Sequence, residues 1–177
     1  MLYLPKRAAF IHIPRTGGHS VKSAISNVCL RHNIPIVAST IPGWIKQYDR
    51  VEIHQRGVNL KGYIREWKDI YRFTIHRPVE DRIESVIKWV EHLRSTDFHK
   101  DPNTAEEMKE FIGRDDYIDN IRDTWTPYTT QFFTEGDYGE DLGVEVYKFE
   151  ELKDRWYEIC DKCQIPRCEL PHLNTNK

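Results

Sequence analysis

Hydrophobic positions recur along this chain with two different periods. Ala8-Ala9-Phe10-Ile11-His12-Ile13 is a short, nearly continuous apolar run, the pattern of a strand covered on both faces. From Ser20 onward the period changes: Val21, Ala24, Ile25, Val28 and Cys29 fall at i, i+3, i+4, i+7 and i+8, one apolar helical face. "IPIVAS" from Ile34 and "RVEIHQ" from Arg50 are candidate strands. "IYRFTIH" alternates Tyr71, Phe73 and Ile75 against Arg72, Thr74 and His76, a strand pattern. Pro78 then opens a long predicted helix at its first position, with Val79, Ile83, Val86, Ile87, Val90 and Leu93 as the buried stripe. Thr104 and Glu107 are spaced as a capping box for a short helix closed by Gly113. "DDYIDNIRDTW" continues helically, "VEVYKF" reads as a late strand, and a last helix is expected to end near Cys163.

Strands that alternate with helices predict an α/β protein with a mostly parallel central sheet flanked by helices, here in a single domain over residues 1–177. In such sheets ligands bind at the carboxyl ends of the strands. Three segments leave strands there: "PRTGGHS", "HRPVEDRIES" and, with weaker support, "HQRG".

Composition narrows the class. No apolar run among the 177 residues approaches the ~20 needed to cross a bilayer, and no signal peptide is legible, so a cytoplasmic location is expected. The net charge of −2 is unevenly spread. Residues 97–161 carry 19 acids against 7 bases, and the remainder 9 acids against 19 bases. The basic part, which includes "PRTGGHS", suits a polyanionic ligand, while the total charge argues against a general nucleic-acid binder. Cys29 lies on the apolar face of the first helix. Cys160, Cys163, Cys168 and His172 have a spacing superficially like a zinc site, but two of the cysteines fall on a helix; zinc and a disulfide are the alternatives, and reduced thiols are the expectation.

"PRTGGHS" carries the first candidate chemistry. Two adjacent glycines let backbone approach an oxyanion, and the amides of Gly17 to Ser20 would face it from a helix N-terminus. Arg15 adds a charge, and Thr16 and Ser20 add hydroxyls. Arg77 ends a strand and Ser85 follows eight residues later on a helix; a guanidinium fork and a hydroxyl suit a terminal phosphate. The G-K-[ST] signature of nucleotide hydrolases is missing from the loop.

"FIHIPRTGGHSV" resembles the 5′-phosphosulfate loop of the sulfotransferases that use 3′-phosphoadenosine 5′-phosphosulfate (PAPS), particularly the carbohydrate branch, whose usual form is P-K-T-G-G-T-S. "RFTIHRPVEDRIES" resembles that family's 3′-phosphate motif, R-x-P-x-x-R-x-x-S, with Pro78 and Arg82 in place. "VEVYKFEEL" and "LPHLNTNK" resemble later family segments more weakly. The resemblance implies a three-layer sandwich like that of the P-loop NTPases and transfer of a sulfuryl group from PAPS to a hydroxyl or amine, without a metal. It implies that Arg15, Thr16, Gly17, Gly18, His19, Ser20, Arg77 and Ser85 bind the nucleotide. Arg15 stands where the family has Lys, and His19 where it has a second Thr. His54, at a strand end, is the candidate base, with Glu52 as runner-up; Arg15 is the candidate stabiliser of the leaving oxygen. Trp125, Tyr128, Phe132 and Phe133 are candidates for an adenine or acceptor shelf, with core packing the simpler reading. The acceptor would be a small molecule or glycan, with no nucleic-acid or membrane partner. A catalytically idle module binding adenosine 3′,5′-bisphosphate (PAP), or a P-loop kinase, are the alternatives.

Overall fold

The computed structural model describes residues 2–38, 56–96 and 106–171. In chain order the elements begin with β1 (Leu2–Leu4), β2 (Ala8–Ile11), α1 (Gly18–Arg31), β3 (Val37–Ala38), α2 (Gly57–Tyr63) and β4 (Tyr71–His76). They continue with α3 (Val79–Ser95), α4 (Glu106–Gly113), α5 (Tyr117–Trp125), α6 (Thr130–Thr134), β5 (Glu145–Lys148), a 3-10 turn (Phe149–Glu151) and α7 (Leu152–Lys162). The predicted "RVEIHQ" strand and Thr104 lie outside the described residues. These elements form two compact units, residues 1–77 with 130–177, and residues 78–129.

The first unit is built on a five-stranded sheet of order β3-β1-β2-β4-β5. β2 pairs in parallel with β4, and β4 with β5; β1 runs antiparallel to both β2 and β3. Four of the five strands therefore point the same way, a mixed sheet that is mostly parallel. β1 was not legible as a strand. It exists because the chain reverses at Lys6, whose φ of 61° is left-handed, and lays Leu2 and Leu4 beside Phe10 and Ala8.

The alternation along β4 decides what covers each face. Phe73 and Ile75 share one face with Leu2, Leu4, Phe10 and Tyr147, under the apolar stripes of α1 and α7. The α1 stripe is the predicted one: Val21, Ala24, Ile25, Val28 and Cys29 are all buried. Full burial of each large side chain here contributes about 1.5–3 kcal/mol. On the other face the Thr74 hydroxyl donates to Ile11 O (2.7 Å), and Gly57 of α2 packs on Ile11 and Leu142. There His76 Nδ1 and Thr130 Oγ1, 2.6 Å apart, tie the end of β4 to the start of α6. Helices thus lie on both faces, as the chain's alternation of periods implies.

The second unit is helical. Ile83, Val86, Val90 and Leu93 of α3, the predicted stripe, pack with Ile112 of α4 and Ile121 of α5. Pro78 flanks α3 as its N-cap (ψ 142°) instead of occupying the first helical position. Arg82 is fully buried, with Nη2 donating to Tyr128 O. Among the described residues no helix is long and apolar enough to cross a membrane.

Candidate functional site

Three strand ends of the first unit point the same way, and each delivers a different group. After β2 the chain passes through His12 and Ile13, both buried, into Pro14-Arg15-Thr16-Gly17-Gly18. Arg15 (φ 63°) and Gly17 (φ 78°) are both left-handed. For arginine that conformation costs on the order of 1–2 kcal/mol, so the surrounding turn must hold it. Thr16 supplies part of that hold: its buried hydroxyl donates to Ile13 O (2.8 Å) and braces the loop, where the sequence suggested a donor to an anion.

Packing requires both glycines, and φ requires Gly17 as well. A Cβ on Gly17 would come within 2.9 Å of Phe149 Cε2, and one on Gly18 would overlap the His12 imidazole. Gly17 is the N-cap of α1 and uses no side chain for the purpose. The Ser20 amide closes onto Gly17 O (3.0 Å), so the amides of Gly18 and His19 are the ones that open the helix without an intrahelical acceptor. No acidic residue occupies the first turn of α1. An anion there meets the positive end of the helix dipole.

β4 delivers Arg77, and the pairing of β4 with β2 brings it to Arg15. Arg77 Nη1 donates to Arg15 O (3.4 Å). Arg15 is half-buried, and burial, with the nearby Arg77 charge, lowers its pKa. Two guanidiniums therefore share one rim. β5 delivers the third group, Phe149, whose ring lies under the Arg77 guanidinium at 5.2 Å while its edge fills the space beside Gly17. Stacking of this kind fixes the plane of an arginine fork and leaves its edge for an oxyanion.

Lys22 extends the cationic rim along α1, with the His19 ring beside it. Burial, then the charges of Lys22 and Arg15, push the His19 pKa below the usual imidazole range. Burial also lowers that of Lys22. The His12 ring stacks on Phe10 (5.8 Å between centroids) and meets His19 edge-on (5.5 Å), forming the floor under the loop. Phe149 and Lys22 were not assigned these places from sequence, whereas His12 was expected as a strand residue near the nucleotide. The readable signals were an aromatic directly after the last strand and a lysine one turn beyond "GGHS".

Arg15, Thr16, Gly17, Gly18, His19, Ser20 and Arg77 are thus brought together. Ser85 lies on α3 in the second unit. His54 and Glu52 lie outside the described residues. From "HQRG", Arg56 serves structure: its Nε donates to Phe132 O (2.8 Å), its Nη1 pairs with Asp137 (2.7 Å), and its charge lies over the Phe132 ring. Phe133 is buried, and Trp125 packs on the core of the second unit, so these two fit the packing reading. All four cysteines are free thiols, and among the described residues no three metal-donor side chains gather. Compared with protein-family models, with curated proteins and with solved structures, the chain matches none.

Proposed function

We propose that this chain is a sulfotransferase domain that binds PAPS on the Arg15–Arg77 rim and passes its sulfuryl group to an acceptor hydroxyl or amine. The observation that carries the reading is the approach of the Arg77 guanidinium to Arg15, from the ends of adjacent parallel strands, beside an acid-free helix N-terminus. A nucleotide carrying both a 5′-phosphosulfate and a 3′-phosphate has charge enough to suit it. The fold is read accordingly as a three-layer sandwich of the P-loop NTPase type.

In the reaction the acceptor oxygen or nitrogen attacks sulfur, the bond from sulfur to the phosphate oxygen breaks in line, and PAP leaves. The acceptor's proton passes to a base. Arg15 and the Gly18 and His19 amides stabilise charge developing on the leaving oxygen, and Arg77, flat on Phe149, holds the 3′-phosphate. His19, whose pKa burial and the Lys22 and Arg15 charges lower, offers a ring N–H as a further donor. His54 takes the role of base on sequence grounds.

Calorimetry with PAP and AMP tests the reading. Charge-assisted hydrogen bonds contribute ~1.5–3 kcal/mol each. PAP is therefore expected to bind at least ~10²-fold more tightly than AMP without metal, at 1.4 kcal/mol per tenfold. Arg77→Ala should remove most of that gap and leave AMP affinity little changed. Equal affinities in the wild-type protein would overturn the proposal; tighter binding of ATP with Mg²⁺ than of PAP would favour the kinase reading. Transfer from radiolabelled PAPS to an acceptor panel then separates an enzyme from an idle binder.

A further inference from the structure

On the side of the sheet that carries α1 and α7, the four cysteines of the chain share one neighbourhood. Cys29, Cys160 and Cys163 are buried in the main core, and Cys168 is half-buried against it. The last two turns of chain explain the arrangement. α7 ends at Lys162, Gln164 takes a left-handed φ of 54°, and the Ile165 amide returns to Cys160 O (3.1 Å). This is the reversal found at many helix ends, here without glycine. The segment then runs back along the helix, where Trp156 Nε1 donates to Cys168 O (2.7 Å). As a result Cys168 packs against the cluster that holds Cys160, within reach of its thiol, while its own Sγ donates to Ala24 O (3.9 Å). Cys168 also lines an open cavity of about 410 Å³ with Arg31, His32 and Arg167, a size suited to a small ligand. Cys160 has no such opening.

We infer that Cys160 and Cys168 are a redox-active dithiol that glutathione disulfide closes into an intramolecular disulfide, with Cys168 as the entry thiol. This does not depend on the sulfuryl-transfer reading. In the first step the Cys168 thiol loses its proton and attacks one sulfur of glutathione disulfide, releasing one glutathione thiolate. In the second, Cys160 loses its proton and attacks the Cys168 sulfur, releasing the second. Two protein thiols are oxidised, and one glutathione disulfide is reduced to two glutathiones. Arg31 in the cavity lining, with Glu169 and the Asp161-paired Arg167 beside it, offers a charge to a carboxylate of the tripeptide. Cys160 is fully buried and Cys168 lines the cavity, so Cys168 reacts first; burial also pushes the Cys160 pKa up to about 12. Cys163, one helical turn from Cys160, is sealed in the core and does not line the cavity.

The sequence provides its own assay. Trypsin cuts after Arg155, Lys162 and Arg167, so Cys160, Cys163 and Cys168 fall in three separate peptides. The full folded chain is incubated with glutathione disulfide, its remaining thiols are blocked, and it is digested and weighed. The expected product joins peptide 156–162 to peptide 168–177, two hydrogens lighter than their sum and separated by reductant. Cys160→Ala should stop at a glutathione adduct on Cys168. Cys168→Ser, at a half-buried position, should leave Cys160 unmodified over the same time. A link that involves Cys163 or Cys29, a wild-type protein that stops at the adduct, or no thiol change at all would each overturn the inference. The wild-type peptide map decides the matter even if the Cys160 variant does not fold.

Discussion

Gly18→Ala isolates a single contact beneath the candidate site. The added methyl would overlap the His12 imidazole; even the more distant Cγ is only 2.8 Å away. His12 has little room to yield, being 1% exposed, stacked on Phe10 and met edge-on by His19. Overpacking of this kind costs about 1–3 kcal/mol. Against it stands the better helix propensity of alanine, at most about 1 kcal/mol at a first helical position. The net expectation is a loss of ~1–2 kcal/mol, or about 2–8 °C in Tm for a chain of this size. In a His12→Ala background the ring is gone, and the same substitution should be neutral or stabilising by up to ~1 kcal/mol. Urea unfolding of the four proteins closes the cycle, with a coupling of ~1–3 kcal/mol expected. A Gly18→Ala variant as stable as wild type, or one that loses the same amount in both backgrounds, would refute the packing argument. Gly18 would then be explained by backbone approach to an anion alone.

Other expected outcomes address charge and anchoring. Binding of PAP should raise the His19 pKa, because a phosphate beside the imidazole offsets the Lys22 and Arg15 charges that lower it; an imidazole proton titration followed by NMR, unchanged by PAP, would remove His19 from the site. Glu158 accepts hydrogen bonds from Arg155 and Lys162, in that order of effect, and its pKa is held down to about 2 from 4.5. A depressed carboxylate stabilises the fold above its unfolded value and loses that effect as pH falls. Tm of the wild type should therefore drop between pH 4.5 and 2, and Glu158→Gln should flatten that part of the profile; parallel profiles would count against it. Trp156→Phe removes the indole donor to Cys168 O and should cost about 1–2 kcal/mol in urea unfolding, the bond supplying ~0.5–1.5 of it. A variant as stable as wild type would show that the 165–171 segment is held by apolar contacts alone.

How far the sequence could be read depended on the range of the forces involved. Helix α1 and strand β4 were legible because their stripes repeat within a few residues and meet one continuous core. α2 was not: its described burial rests on Gly57 and Leu60 alone, too few for a period to show. β1 is three residues long and becomes a strand only once Phe10 and Ala38 lie beside it. At the site, the loop and Arg77 were found through their residue types, but their meeting is a product of β2–β4 pairing across some sixty residues. Phe149 was hidden for the same reason, since its role exists only where the end of β5 reaches Gly17 and Arg77. The glycines show how one letter can carry two causes: the sequence suggested an anion loop, and the structure shows a tight wall at Phe149 and His12.

The His76–Thr130 bond has a meaning for how this chain can change over time. It clasps the two points where the chain leaves the sheet unit and comes back, so everything between them is a loop with a fixed base. The entropy of closing such a loop grows only with the logarithm of its length, about 0.6 kcal/mol for each doubling. Lengthening, shortening or replacing residues 78–129 is therefore a minor perturbation to the sheet that carries Arg15 and Arg77. With this clasp, the closure cost of the chain between His76 and Thr130 varies little with its length.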